Sequence, residues 1–249
     1  MSQDTNFSSK KVIADHYNEQ SKSYGRRYQG YKKQFFQSIE ENTVIDLLSK
    51  KWGGYWLDVG TGEGRFSRAA VDFVERIIGI DISNGMIEIA NKNNSNNQKI
   101  KFYQMDFIST TFPNFTFDAI ISLGAFEYID DLGPYLKEGY RVGKKNAKLV
   151  FTCHNNESII KTKSNKTFAV QRHTINSLEN LLVENGWRTV KIYSIFHISG
   201  RWIWIFCRLL PSFLRGSFIK ALIRINKQLS KWPPTALKGR VLLICAEKN

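Results

Sequence analysis

Leu57-Asp58-Val59-Gly60-Thr61-Gly62-Glu63-Gly64-Arg65-Phe66-Ser67 is the stretch whose reading decides the fold. Tyr55, Trp56, Leu57 and Val59 read as the end of a buried strand, three glycines at alternate positions turn the chain, and Arg65 to Ala70 reads as a helix. A strand, a glycine turn and a helix start together make a ligand site. Glycine permits positive φ and close approach to the backbone, and free N–H groups at the helix start favour an anionic group. The same rhythm continues downstream. Arg76 to Asp81 reads as a second strand ending in an acid about 20 residues beyond the glycines, where a carboxylate can accept both hydroxyls of a ribose. Ser83 can cap the next helix, which carries Met86. Lys99 to Phe107 gives a third strand with Asp106 and Phe107 at its end, and Phe117 to Ile129 a fourth strand with the turn that follows it.

A nicotinamide-binding fingerprint, G-x-G-x-x-G, would place the third glycine one residue later. Here an acid, Asp58, stands two residues before the first glycine, and D-x-G-x-G-x-G resembles motif I of the class I methyltransferases that use S-adenosylmethionine (SAM). Phe117 to Ile129 resembles motif IV of that family, and the resemblance covers about residues 50 to 195 together with the closing strand. It implies a doubly wound α/β fold: a seven-stranded, mostly parallel sheet of order 3-2-1-4-5-7-6 with helices on both faces. It also implies SAM as cofactor and methyl transfer as activity. By position, Gly60, Thr61, Gly62 and Gly64 would wrap the methionine part of SAM, with Asp58 beside its amino end. Asp81, followed by Ile82, would take the ribose; Met86, Asp106 and Phe107 the adenine; and Leu123 would face the pocket from the fourth strand. His16 to Tyr24 resembles the N-terminal arm that closes over SAM in small-molecule methyltransferases, making Tyr17, Tyr24 and Arg27 lid candidates. Gly25 stands where the family has Asp after the tyrosine, a departure from the pattern.

A chain of 249 residues holds one well-cored α/β domain with an elaboration. Its division is expected as a helical arm over 1–50, a core over 51–196, a basic helical insertion over 197–239 and a last, antiparallel core strand over 240–249. Within the arm, residues 1 to 9 read as disordered, with one helix from Lys10 and another from Tyr31 to about Ser49. The net charge of +14 implies attraction to something anionic: nucleic acid, a phospholipid surface, or a phosphorylated or carboxylated substrate. Cys153, Cys207 and Cys245 lie in apolar surroundings, which suits reduced thiols and a cytoplasmic setting. The polar N-terminus lacks an apolar signal core.

The insertion sets this chain apart, since about 43 residues are too many for an unstructured loop. Arg201 to Leu210 is apolar nearly all round but too short to span a bilayer, which takes about 20 residues. From Phe213, helical spacing gathers Leu214, Phe218, Leu222, Ile225, Leu229 and Trp232 on one face, and Ser217, Lys220, Arg224, Lys227 and Lys231 on the other. No acid occurs between 197 and 239. Two readings stay open: a substrate lid packed on the core, or a basic surface over 201–232 resting with its tryptophans on an anionic membrane.

Methyl transfer needs donor and acceptor in line, water expelled and in some cases a proton removed. His154, after the fifth strand, is the first candidate base; Glu127 and Tyr128, after the fourth, come next, and His16 in the arm follows. Some quinone O-methyltransferases carry a metal-binding E-x-x-E-H after the fourth strand. The matching residues here are Gly124, Glu127 and Tyr128, so no metal is expected. Leu123-Gly124-Ala125-Phe126 also replaces the N/D-P-P-Y/F run that stacks a flipped base in amino-methylating nucleic-acid enzymes. The acceptor is therefore expected to be small or amphipathic, a lipid or lipid-linked molecule included. RNA methylation ranks second, and a non-catalytic SAM-binding assembly or membrane-recruitment factor is the alternative of another class.

Overall fold

The computed structural model describes residues 2–22, 31–48, 53–160 and 170–249. Its centre is a sheet whose first four strands, β1 (Tyr55–Val59), β2 (Arg76–Asp81), β3 (Ile100–Gln104) and β4 (Phe117–Ser122), run parallel. β5 (Gly143–Asn155) continues them in parallel beside β4. Side chains alternate across a strand, so neighbouring apolar residues enter opposite cores. Trp56, Ile77, Ile121 and Leu243 fill one. Leu57, Ile78, Ile120 and Leu242 fill the other.

β8 (Val241–Lys248) enters antiparallel between β5 and β7 (Trp187–Ile195), as expected of the closing strand. The full order is β3-β2-β1-β4-β5-β8-β7, with a two-residue strand β6 (Arg172–His173) paired to the end of β5. The sequence gives no sign of β6; leaving it aside, the seven long strands follow the order 3-2-1-4-5-7-6 in chain terms. Helices α3 (Arg65–Ala70), α4 (Asn84–Asn93), α5 (Gly133–Val142) and α6 (Ile175–Glu184) provide the connections. Ser83 caps α4 by accepting from the Met86 N–H, and Thr174 and Ser177 form a capping box on α6.

Two expectations need correction. The first helix, α1 (Ser2–Ser21), begins at Ser2 rather than Lys10; nothing between these residues is Pro or Gly, and its far end docks against α4. The insertion folds as α7 (Gly200–Leu209) and α8 (Ser212–Leu229), but α8 is rotated from the expected stripe. Ile219 and Asn226 are buried, with Phe218, Leu222 and Ile223 packed beside them, while Leu214 and Ile225 face outward. The cause is polar: Asn226 Oδ1 accepts the His197 N–H at 2.9 Å and fixes which face turns in. The inner sides of α7 and α8 rest on α2 (Tyr31–Leu48), which buries Phe35, Ile39 and Leu48. Tyr24 and Arg27, the link at 50–52 and the lysine-rich run 161–169 lie outside the described residues.

Candidate cofactor and acceptor site

At the C-terminal ends of β1, β2 and β4 the chain leaves a cavity of about 210 Å³. Strand ends in a parallel sheet point their following loops to one side, so distant residues converge there. The glycine loop forms one wall, Asp81, Ile82 and Met86 a second, Asp106 and Phe107 a third, and Leu123 and Tyr128 the side towards β4. Lys10, Ile13 and Tyr17 of α1 close over it.

The loop is held by backbone bonds. Gly60 and Thr61 donate to the Ile80 carbonyl at 2.8 and 3.0 Å, and Gly62 donates to Asp81 Oδ2 at 2.9 Å. The other Asp81 oxygen takes the Ser83 N–H at 2.9 Å. Burial pushes the Asp81 carboxyl above the usual carboxylate range, against the pull of these N–H donors. Gly60 and Gly62 have φ of 69° and 55°, where a side chain is strained. A Cβ on Gly60 would stand 2.4 Å from that of Ala125, whereas one on Gly62 would meet no atom within 4 Å.

Asp58 stands at the base of the glycine loop. It lies outside the cavity lining, beneath the loop, where Oδ2 accepts the Thr61 and Ser67 hydroxyls, each at 2.7 Å. A fully buried carboxylate that accepts two hydroxyls from its own loop braces that loop, and burial raises its pKa. Gly64 is also outside the lining; it enters α3 with φ 75°, and a Cβ there would come within 2.5 Å of the Phe102 ring.

The arm contributes more than its tyrosines. Lys10 reaches Asp106 Oδ2 at 2.8 Å, and Asn18 Oδ1 accepts the Ser83 hydroxyl and the Gly85 N–H at 2.7 and 3.0 Å. Arg65, at the loop's exit, pairs with Glu40 and Glu41 of α2 at 2.9 and 2.7 Å. Lys10, Asn18, Arg65 and the two glutamates carry no local motif, which is why sequence reasoning missed them. A helical polar pattern such as Lys10–Asn18 reads equally well as solvated surface.

The candidate bases gather one step beyond the cavity. His154 Nε2 and Glu127 Oε2 lie 3.2 Å apart, both largely buried, and the other ring nitrogen, Nδ1, is buried without a hydrogen-bond partner among the described residues. Neither residue lines the cavity, but Tyr128, next to Glu127, does, and its ring lies 6.4 Å from that of Tyr17. Burial first, then Glu127 and Tyr17, push the Tyr128 hydroxyl far above its ordinary pKa. It therefore stays protonated at neutral pH. His16 contacts Gln20 one helical turn on within α1, and its ring meets that of Tyr17 edge-on at 5.5 Å.

A glycine loop over β1, with acids at the tips of β2 and β3, defines a Rossmann-like nucleoside-cofactor domain of methyltransferase topology. The residues fit SAM: a backbone-lined loop with open space at Gly62, two carboxylates and an apolar slot between Met86 and Phe107. Residues 57–151 match the family model described as a methyltransferase domain. It is 36% identical over 99 residues to a demethylmenaquinone methyltransferase of Bacteroides fragilis, covering 38% of this chain and 40% of that one. A sterol 24-C-methyltransferase of Aspergillus fumigatus is 31% identical over 116 residues, 44% of this chain and 31% of its own. These matches span less than half the length of either relative. A SAM-dependent methyltransferase structure from Thermotoga maritima shares the fold over 95% of this chain and all of its own, with a TM-score of 0.65 and 16% identity.

Proposed function

We propose that the chain transfers a methyl group from SAM to a small, amphipathic acceptor presented at an anionic lipid surface. The cavity at the strand tips carries the donor half of this reading. SAM, when bound, supplies a methyl group on a sulfonium, open to in-line displacement. Asp81 accepts the ribose hydroxyls, using lone pairs left free by its two N–H donors. Asp106, steadied by Lys10, accepts the adenine amino group, and Ile82, Met86, Phe107 and Leu123 enclose the base and sugar. Gly60, Thr61 and Gly62 admit the methionine part; Asp58 and Gly64 keep the loop in shape. Tyr17 excludes water from above.

For the proton, the Glu127–His154 pair is the best-built group. His154 Nε2 stands 3.2 Å from Glu127 Oε2, and its Nδ1, behind the cavity wall, would take the proton of an acceptor hydroxyl or amine that reaches past that wall. Tyr128, on the cavity wall next to Glu127, borders the acceptor.

The acceptor half rests on the outward side of the insertion. Trp202, Trp204, Leu209 and Phe213 are 56%, 55%, 76% and 79% exposed, and Phe206, Leu214 and Trp232 are exposed beside them. Contiguous exposed aromatic surface on a folded chain marks an interaction site. The eight Lys and Arg residues between 197 and 239 face no acid of their own segment, and each adds about 1 kcal/mol near an anionic bilayer. No described helix is long and apolar enough to cross a membrane, so contact from one side is the fitting mode. Relatives named for demethylmenaquinone and sterol agree with a lipid-type acceptor. The test is label transfer from methyl-labelled SAM into cell extract split into lipid, small-molecule, RNA and protein fractions, with liposome co-sedimentation alongside. Label in lipid, and pelleting with phosphatidylglycerol vesicles but not phosphatidylcholine, is expected; label in RNA alone would remove the reading.

A further inference from the structure

Arg240 stands at the entrance to β8, one residue before Val241, the partner of His154 in the sheet. Its backbone is fixed on both sides: its N–H donates to the Phe196 carbonyl at 3.4 Å and its carbonyl accepts the Asn155 N–H at 3.1 Å. The guanidinium lies beside two touching rings, 4.8 Å from the centre of Phe36 and 5.1 Å from that of Phe196, which are themselves 4.6 Å apart. Among the described residues no group accepts a hydrogen bond from it and no carboxylate pairs with it, and its Nε is buried without a partner.

The nearby acids have other engagements. Glu40 is bonded to Arg65 at 2.9 Å, and Glu127 faces His154 at 3.2 Å. Both act on Arg240 only through the field, and burial outweighs them in lowering its pKa. A buried Nε–H without an acceptor is costly, and contact with two rings offsets only part of that cost. The planar fork matches one chemistry above others, a pair of oxyanion oxygens.

We propose that Arg240 is the anion-recognition residue of the acceptor site, its terminal N–H groups holding a carboxylate or phosphate of the acceptor beside the Glu127–Tyr128 edge of the cavity. Arg240 fixes one end of the acceptor while the reacting atom faces the donor. Assignment to the acceptor rests on the methyltransferase reading above; anion binding itself does not.

The experiment uses the full chain with ¹⁵N-labelled arginine side chains, titrated with inorganic phosphate, with acetate and with chloride at constant ionic strength. The Arg240 Nε–Hε resonance, identified by its loss in Arg240→Lys, is expected to move with phosphate or acetate and to ignore chloride. A stronger response to phosphate points to a phosphorylated headgroup, and a stronger response to acetate to a carboxylate. Arg240→Lys, which keeps the charge but not the fork, should bind the effective anion about tenfold more weakly. If that variant does not fold, contacts to the Phe36 and Phe196 rings identify the resonance instead. A resonance unmoved by both oxyanions, or equal binding by Arg240→Lys, overturns the proposal. SAM titrated into the same sample separates the two claims: no SAM binding with the anion response intact defeats the methyltransferase reading and leaves the anion site standing.

Discussion

At the β1–β2 end of the sheet, the groups facing the cavity lie between Gly60 and Met86 and are joined by main-chain donors, from Gly60 and Thr61 to the Ile80 carbonyl and from Gly62 to the Asp81 carboxylate. At the β5–β8 end, Glu127 and His154 face each other at 3.2 Å while Glu40 and Glu127 reach Arg240 only through the field, and His154 and Arg240 each keep an unmatched buried nitrogen. The first end is complete before any ligand arrives; the second has donors and lone pairs still to be matched. Binding of the donor and handling of the acceptor should therefore fail independently.

The largest expected effect comes from His154→Ala, which should lower methyl transfer by about 10²- to 10⁴-fold, the usual worth of a general base, while SAM affinity stays unchanged. Single-turnover label transfer and SAM titration on the same preparation measure the two; a parallel loss of both would join the halves that the geometry separates. Asp81→Ala should do the reverse, weakening SAM by about 10- to 100-fold, the worth of hydrogen bonds to a charged group. The same carboxylate gives the pH dependence. Only its ionised form accepts both ribose hydroxyls, and burial raises its pKa. SAM affinity should therefore fall as pH drops, starting above the ordinary Asp value of about 4. Without ligand the sign reverses: a carboxyl with raised folded pKa contributes stability at low pH that is lost as pH climbs through that folded pKa.

The glycines sharpen the comparison within the donor half. Gly60→Ala meets Ala125 at a positive φ and should cost about 1–3 kcal/mol of stability, read by denaturant melts. Gly62→Ala has open space and should cost only the backbone strain, about 1 kcal/mol, while its methyl group intrudes where the ligand belongs and weakens SAM. The smallest effect is on the far side of the molecule: Lys227→Ala breaks an exposed pair with Asp46 and should change stability by less than about 1 kcal/mol.

The same contrast explains what the sequence could tell. Asp58, Gly60, Asp81 and Asp106 announce a nucleoside site because their spacing is dictated by strand and turn lengths within βα units. The strands themselves followed from the same periodicities, while the seven-strand order with its antiparallel last strand came from the family resemblance. Asn18, Lys10 and Arg65 were hidden because their partners lie 65, 96 and 25 residues away. The rotation of α8 was hidden for a subtler reason: one buried Asn226 bonded to a main-chain N–H outweighs an apolar stripe that fits a helix equally well in two orientations. The bonds from Thr61 and Ser67 to Asp58 Oδ2 were not legible, since they depend on how the loop folds back over β1.

The central claim is that the cavity between the glycine loop, Asp81 and Asp106 holds SAM. Isothermal titration of SAM into the purified chain, repeated in the presence of S-adenosylhomocysteine, tests it most directly. One-site binding that the demethylated product competes away is the expected result; a chain that takes up neither compound contradicts the account.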